Sequence, residues 1–492
     1  KSEELPIKKN MHVVLRENTE VLEDIVVTGY GNVTKGSYTG SVQAVDAETI
    51  EKKSPSEISK ALAGEIAGVQ VVNTSGQPGT NATLYIRGYG SVNSSTAPLY
   101  VVDGIPYDGD ISAIDPGDIA STSILKDATA TSIYGSRGAN GVVLITTKKG
   151  TSGETGKIDV DIKYGANMHL LPMYDVIKDP KEYVELSWMG IYNSYHDAYT
   201  SPTGLLKAVN NSLFSSKGIT EGYNIWNAPG NSLIDANGKF YSDVAYKPGY
   251  ENMQSWEKSI FRTGQKLDAS VKISGGSEKT TYYTSFGYLK DEGYYIGSDY
   301  NRFTVRSNVD HQAKKWLKGS LNLAYTYSSL NAVGQDDNMN NGFNYVNTIP
   351  PIYPVFMYNA DGTIMTDPKT GGYAYDYGMH EGYGRAFGAG INPAGALQHD
   401  RNNTIQHSVT GNGMLEFKFY KDLKLTVTAG VQYTGITNSE FTNAFYGDAA
   451  GIGRTSKYQQ NYLTFSSTQL LEYTKILDAH NIRVFAAHET QS

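Results

Sequence analysis

The sequence predicts a transmembrane antiparallel β-barrel, about nine strands of it, preceded by an N-terminal mixed α/β domain. Three observations carry this. From Lys157 onward, segments alternate apolar and polar residues strictly, as strands do between lipid and a polar interior. The connections between these segments are short on one side and long on the other, which is how outer-membrane barrels are wired. No window approaches the roughly 18 consecutive apolar residues of a membrane helix, so any membrane role has to be built from strands. The 52 glycines and 38 tyrosines fit aromatic girdles, although a Tyr-rich soluble β protein would share them.

The elements follow in order. The chain opens "KSEELPIKKNMHVVL", which reads as the end of a strand, with neither initiator methionine nor signal peptide, so the expectation is a start inside a longer protein. Residues 23–31, "EDIVVTGYG", hold a β-branched run with no obvious strand partner nearby. The polar, glycine-bearing "NVTKGSYTGSV" after it reads as a tether. Between Ser41 and Gly150 a compact mixed α/β unit is expected. Ser54 as N-cap, Pro55 at the first position and Glu57 as the capping-box acid start a helix that carries Ile58, Leu62 and Ile66. Strand-like runs follow, "GVQVV", "TLYIRG", "PLYVVDG" and "GVVLITTKKG", separated by Gly, Pro, Asn and Asp turns.

In "KIDVDIKYGANM", Ile158, Val160, Ile162, Tyr164, Ala166 and Met168 share one face, and Asp159, Asp161, Lys163 and Asn167 share the other. The same holds for "KLDASVKISGG", "RFTVRSNVD", "WLKGSLNLAYTY" and "DLKLTVTAGVQY", with weaker candidates near 281–290, 407–418, 461–473 and 480–489. Short turns fall at "GGSEKT", "HQAKKW", "YKDL" and "ILDAHN", and long segments at about 169–266 and 328–406. Nine is odd, whereas single-chain bacterial barrels have even counts, so this is expected to be the first part of a barrel. At roughly 37 residues per strand, a plugged barrel of about 22 strands needs on the order of 480 residues more.

Composition excludes several functions. With no cysteine, disulfides, thiolate metal sites and cysteine nucleophiles are out, and the net charge of −8 argues against nucleic acid as a partner. "GYGNVTKGS" fails as a phosphate loop, because Lys-Gly-Ser is the wrong order and no strand-to-helix context surrounds it. The nine histidines are dispersed, and His480 and His488 share a strand face at too great a distance for one metal. No nucleophile, histidine and acid can be assigned, and Asp336 and Asp337 read as solvated loop acids before they read as a cation site. No cofactor and no catalytic residue are therefore expected.

Four stretches together, "EDIVVTGYG", "ALAGEIAGVQVVNTSGQPG", "LYIRGYGSVNSSTAPLYVVDGIP" and "DIASTSILKDATATSIYGSRGANGVVLITTKKG", closely resemble the SusC/RagA-type TonB-dependent transporters of the Bacteroidetes outer membrane. The resemblance is dense over residues 1 to about 170 and rests on pattern alone beyond. It implies four regions: 1–20, the end of a carboxypeptidase-regulatory-like β domain; 21–40, the TonB box and tether; 41–150, the plug; and 151–492, the first part of the barrel with long extracellular loops. Glu23, Asp24, Ile25, Val26, Val27, Thr28 and Gly29 match the box, a strand that adds to a sheet edge of TonB through backbone hydrogen bonds. An ordinary strand is the plain alternative.

On that reading Arg87 and Arg137, in or beside glycine turns, pair with barrel carboxylates and hold the plug, or else cap its own turns. Asp103, Lys126 and Asp127 take local turn or helix-end roles, with Asp103 kept as a gating candidate. Trp188, Trp226 and Trp256 lie in the first long segment, where Asp179, Pro180 and Glu182 also start a helix, and they contact substrate or lid, or pack the loop. The resemblance implies import of oligosaccharides or oligopeptides, with TonB and its ExbB/ExbD motor, a SusD/RagB-like surface lipoprotein and the lipid bilayer as partners. A passive porin or adhesin barrel, or a membrane-embedded hydrolase, would be the rivals.

Overall fold

The computed structural model describes residues 25–28, 31–34, 42–53, 56–90, 95–127, 131–334, 339–380, 383–477 and 480–492. The expectations for residues 1–20, for Glu23, Asp24 and Gly29, for Ser54 and Pro55, and for Asp336 and Asp337 lie outside these.

Ile25–Thr28 (β1) pairs antiparallel with Gly31–Thr34 (β2), with Val26 opposite Val33. The run expected to lack a nearby partner therefore has one, supplied by the stretch taken for tether. A hairpin closes the smallest loop of any strand pairing and so loses the least chain entropy.

Next come Val42–Asp46 (β3), helical turns at Ala47–Lys53 and Ile58–Ala61, Val69–Val72 (β4), Thr83–Ile86 (β5), Leu99–Val102 (β6), Ile105–Tyr107 (β7), Ile119–Leu125 (β8) and Val142–Thr147 (β9). The sheet runs β3-β8-β9-β6-β7, with only β6 and β9 parallel, and β4-β5 is a separate hairpin. The apolar positions read from the sequence, Ile58, Leu62 and Ile66, are buried with Ile50, Leu84, Ile124 and Ile145 in one core. The helix start differs. Helical structure there begins at Ile58, and Glu57 precedes it without a side-chain cap bond, its carboxylate turned inward and paired with Lys60 at 3.0 Å. An earlier turn was not anticipated, although Asp46 caps it by accepting from the Thr49 N–H at 2.8 Å.

The nine expected strands are all present: Lys157–Asn167 (β10), Gly264–Gly276 (β11), Thr280–Glu292 (β12), Asp299–Lys314 (β13), Leu317–Asn331 (β14), Arg401–Lys418 (β17), Leu423–Thr442 (β18), Arg454–Leu477 (β19) and His480–Gln491 (β20). A two-residue pairing, Met379–His380 (β15) with Tyr383–Gly384 (β16), lies in the second long segment. The nine make one antiparallel sheet in sequence order, with β10 and β20 at its edges. β19 has 24 residues, more than the roughly 9–11 that a tilted strand needs to cross a bilayer, so the wall stands well beyond the membrane.

The wall is polar inside and apolar outside. Along β13, Arg302, Thr304, Arg306 and Asn308 are buried against the N-terminal domain, while the intervening Phe303 and Val309 are exposed. Period-two alternation makes such a wall, because one residue of slip would turn arginines to lipid.

The long segments 168–263 and 332–400 fold against each other. The helix Pro180–Tyr195 starts as read, with Asp179 accepting from the Lys181 N–H at 2.9 Å. One apolar cluster joins Val184, Val209 and Leu213 of the first segment to Ile352 and Tyr353 of the second. A buried knot reinforces it: Arg385 pairs with Asp376 at 3.7 Å, and Tyr223 of the first segment donates to Asp376 at 3.0 Å.

Candidate functional site at the plug and wall interface

The N-terminal domain is seated on the wall by polar side chains. Ser56 takes contacts from three strands: Lys266 of β11 donates to its Oγ at 3.1 Å, its hydroxyl donates to Asp291 of β12, and Arg302 of β13 donates to its carbonyl at 2.8 Å. Arg302 also donates to the Ser112 carbonyl at 3.1 Å and lies 3.5 Å from Asp115. One turn on, Asp118 accepts from Tyr283 at 2.9 Å and pairs with Arg306 at 3.3 Å. Asn308 donates to Thr147 Oγ1 and the Lys148 carbonyl, Thr326 to the Ala113 carbonyl, and Gln432 to the Pro106 carbonyl.

Asp115 and Asp118 sit one turn apart in "DPGD", and their environments pull them in opposite directions. Burial opposes charge on Asp115, but Arg302, the Gly117 N–H and Lys272 outweigh it and hold its carboxyl below the usual range. For Asp118 burial wins over Arg306, and the carboxyl is pushed up.

This arrangement suits a part that has to be held and released. A typical intramolecular hydrogen bond is worth only about 0.5–1.5 kcal/mol net, because water replaces it when it opens. An apolar seat would expose oily surface on release, at roughly 25 cal/mol per Å².

Of the residues singled out from sequence, Arg137 meets Glu489 and Gln491 of β20, and Gln491 donates on to Asp108 at 2.5 Å. Arg87 is placed differently: its side chain is exposed, meets no wall carboxylate among the described residues, and its backbone takes a left-handed φ of 59° beside Gly88. Asp103 is local, accepting from the Thr147 N–H at 2.9 Å and hydroxyl at 2.7 Å while turning the β6-β7 hairpin with Gly104. Lys126 is local too, donating to the Ala67 carbonyl at 2.8 Å.

For the tryptophans, read as contacting substrate or lid or as packing the loop, the structure favours packing. Trp188, Trp226 and Trp256 are all buried; the Nε1 of Trp188 is spent on Asn210 and that of Trp256 on the Tyr353 carbonyl. Segments this long need cores of their own, and an indole supplies more buried area than any other side chain. Trp226→Ala is expected to destabilise the outer segments by about 3–5 kcal/mol. Faster cleavage of residues 168–263 by a protease added to intact cells would register it, and an unchanged cleavage rate would contradict it.

Sequence reasoning missed Ser56, Asp115 and Asp118. The wall arginines carried a signal, since two cations on the polar face of a membrane strand require buried partners.

A β-sheet wall with a folded polar-faced domain seated on its inner side defines the class, a plugged barrel of the outer membrane. The family TonB-dependent Receptor Plug Domain matches residues 34–142. The TonB-dependent receptor SusC of Bacteroides thetaiotaomicron is 29% identical over 514 aligned residues, covering 99% of this chain and 44% of SusC. Structures of the RagAB peptide importer superpose with TM-scores of 0.72 in the closed-closed state and 0.73 in the open-open state. They are 28% and 27% identical and cover 92% and 95% of this chain against 47% and 48% of theirs. Across nearly its whole length the chain is similar to SusC/RagA-type TonB-dependent transporters of the Gram-negative outer membrane. It spans a little under half the length of the relatives it matches. The family is one of transporters and not of enzymes.

Proposed function

We propose that the full-length protein imports oligosaccharides or oligopeptides across the outer membrane, driven by TonB with ExbB and ExbD and assisted by a SusD/RagB-like surface lipoprotein. In this reading residues 1–20 end a regulatory-like β domain, 21–40 carry the TonB box and tether, 41–150 are the plug, and 151–492 begin the barrel. The observation that carries it is the polar seat: a plug held by Ser56, Asp115 and Asp118 against Lys266, Asp291, Arg302 and Arg306 is held by bonds that water can replace. Force applied at residues 23–29 reaches that seat through β3, the first strand of the plug sheet and one of its edges. Arg137, bonded to β20, is the further anchoring contact.

Accumulation of candidate glycans and peptides in the periplasm is the test, in cells carrying the full-length protein with and without TonB. Import is expected to fall to background when TonB is absent. Uptake that persists would favour the passive porin or adhesin.

A further inference from the structure

Between the second outer segment and the β18-β19 connection lies a cleft of about 380 Å³, walled by Tyr377, Asn392, Asp400, Asn443, Tyr446 and Gly447. Asp400 immediately precedes β17 and Thr442 ends β18. Both keep the even-numbered parity of the inward-facing Gln406, Ser408, Gln432 and Thr434, which places the cleft at the inner rim of the wall.

Its polar groups are fixed and only partly used. Asp400 Oδ1 accepts from the Asn443 N–H at 2.8 Å and from its side-chain amide at 2.7 Å, and Asn443 Oδ1 in turn accepts from the N–H groups of Phe445 and Tyr446. The Asp400 side chain is thereby held in one orientation while Oδ2 has no partner among the described residues. The Tyr377 ring stacks on that of Tyr446, with centroids 4.9 Å apart and planes inclined by 11°. The Tyr377 hydroxyl is buried and also lacks a hydrogen-bond partner among the described residues. Burial first and the Asp400 carboxylate second push this phenol up, so it stays a neutral O–H donor.

What remains on offer is a carboxylate acceptor and a phenol donor beside aromatic carbon, with Gly447 and Gly390 leaving space for a close approach. Adjacent hydroxyls on a puckered ring need that combination. The charges oppose an anion: Asp400 and Asp448 both face the cleft, Arg454 is tied to Asp448, and Lys369 is engaged over the Tyr446 ring at 5.0 Å from its centroid. A peptide that binds by strand addition pairs its backbone along a sheet edge, which these side-chain groups do not supply.

We propose that this cleft binds a sugar ring of a neutral oligosaccharide, with Asp400 accepting from ring hydroxyls, Tyr377 donating and Tyr446 forming the apolar wall. The proposal rests on the import reading and narrows its substrate class.

Full-length protein in detergent, titrated calorimetrically with short neutral oligosaccharides of glucose, xylose and mannose, with a galacturonate oligosaccharide and with short peptides, tests it. Asp400→Asn retains the acceptor that holds Asn443, and Tyr377→Phe retains the ring stack, so both are expected to melt like the parent. Each is expected to weaken binding of a neutral oligosaccharide about tenfold, the effect of one unmade hydrogen bond to a group held in a fixed orientation. Undiminished sugar binding by both variants would put the site elsewhere. Binding confined to peptides or to the acidic sugar, or to no member of the neutral set, would overturn the ligand class. Failure of the import reading is separate, since it appears as uptake indifferent to TonB.

Discussion

In an Arg302→Met variant the plug is expected to loosen by about 3–5 kcal/mol, the usual result of removing one partner from a buried ion pair. From one position on β13 the guanidinium bridges two stretches of the plug that are far apart in sequence, Ser56 on one and Ser112 with Asp115 on the other. Methionine fills much of the volume but leaves two carbonyls without their donor and a buried carboxylate with only the more distant Lys272 as cation. Arg302→Lys keeps the charge and loses the planar fork that reaches several acceptors at once, so it should fall between the two. Amide hydrogen exchange over residues 110–120 in the full-length protein reads the loosening directly. Entry of a bulky antibiotic into cells reads it as leakage past the plug. If exchange and antibiotic sensitivity both match the parent, Arg302 does not hold the seat.

Val26→Pro is expected to abolish TonB-driven uptake while leaving the amount of surface-exposed protein unchanged. Strand addition uses backbone N–H and C=O groups, and proline removes one N–H and constrains its neighbour. Because Ile25–Thr28 already pairs with Gly31–Thr34, a partner strand has to use the other edge of β1 or displace β2. Successive residues of a strand direct their N–H groups to opposite sides, so Val26→Pro and Val27→Pro together test both edges. Loss of uptake in one variant alone would identify the edge used. Full uptake in both would remove residues 23–29 from the role of box.

The comparison of sequence with structure turns on the range of each interaction. The wall strands were readable because alternation is a local property: Phe303 and Val309 announce lipid, and Arg302 and Arg306 announce a polar interior, without reference to the rest of the chain. The helix at Pro180 was readable because its cap, Asp179, lies next to it. The start of the helix near Ser56 was misread because a tertiary demand overrode the local signal. Glu57 turns into the plug and pairs with Lys60, and Ser56 is occupied by the wall. Likewise Arg87 and Arg137 looked alike in sequence, both beside glycine turns, yet of the two only Arg137 meets a wall carboxylate among the described residues.

The sequence alone determined that this chain builds a membrane wall from strands behind a mixed α/β domain, and which face of each strand meets lipid. The physical reason is that backbone groups in lipid must pair within a sheet and that side chains alternate across it. Only the tertiary structure decided what the inward polar residues hold. Arg302 finds Ser56 across 246 positions of sequence, and Asn308 finds Thr147 across 161. No local pattern encodes such pairings, because they arise from the docking of two separately formed units. The same holds for the tryptophans: Trp188 and Trp226 are buried in one core shared by the two long segments, and Trp256 in a second with Tyr345, Val355 and Phe356.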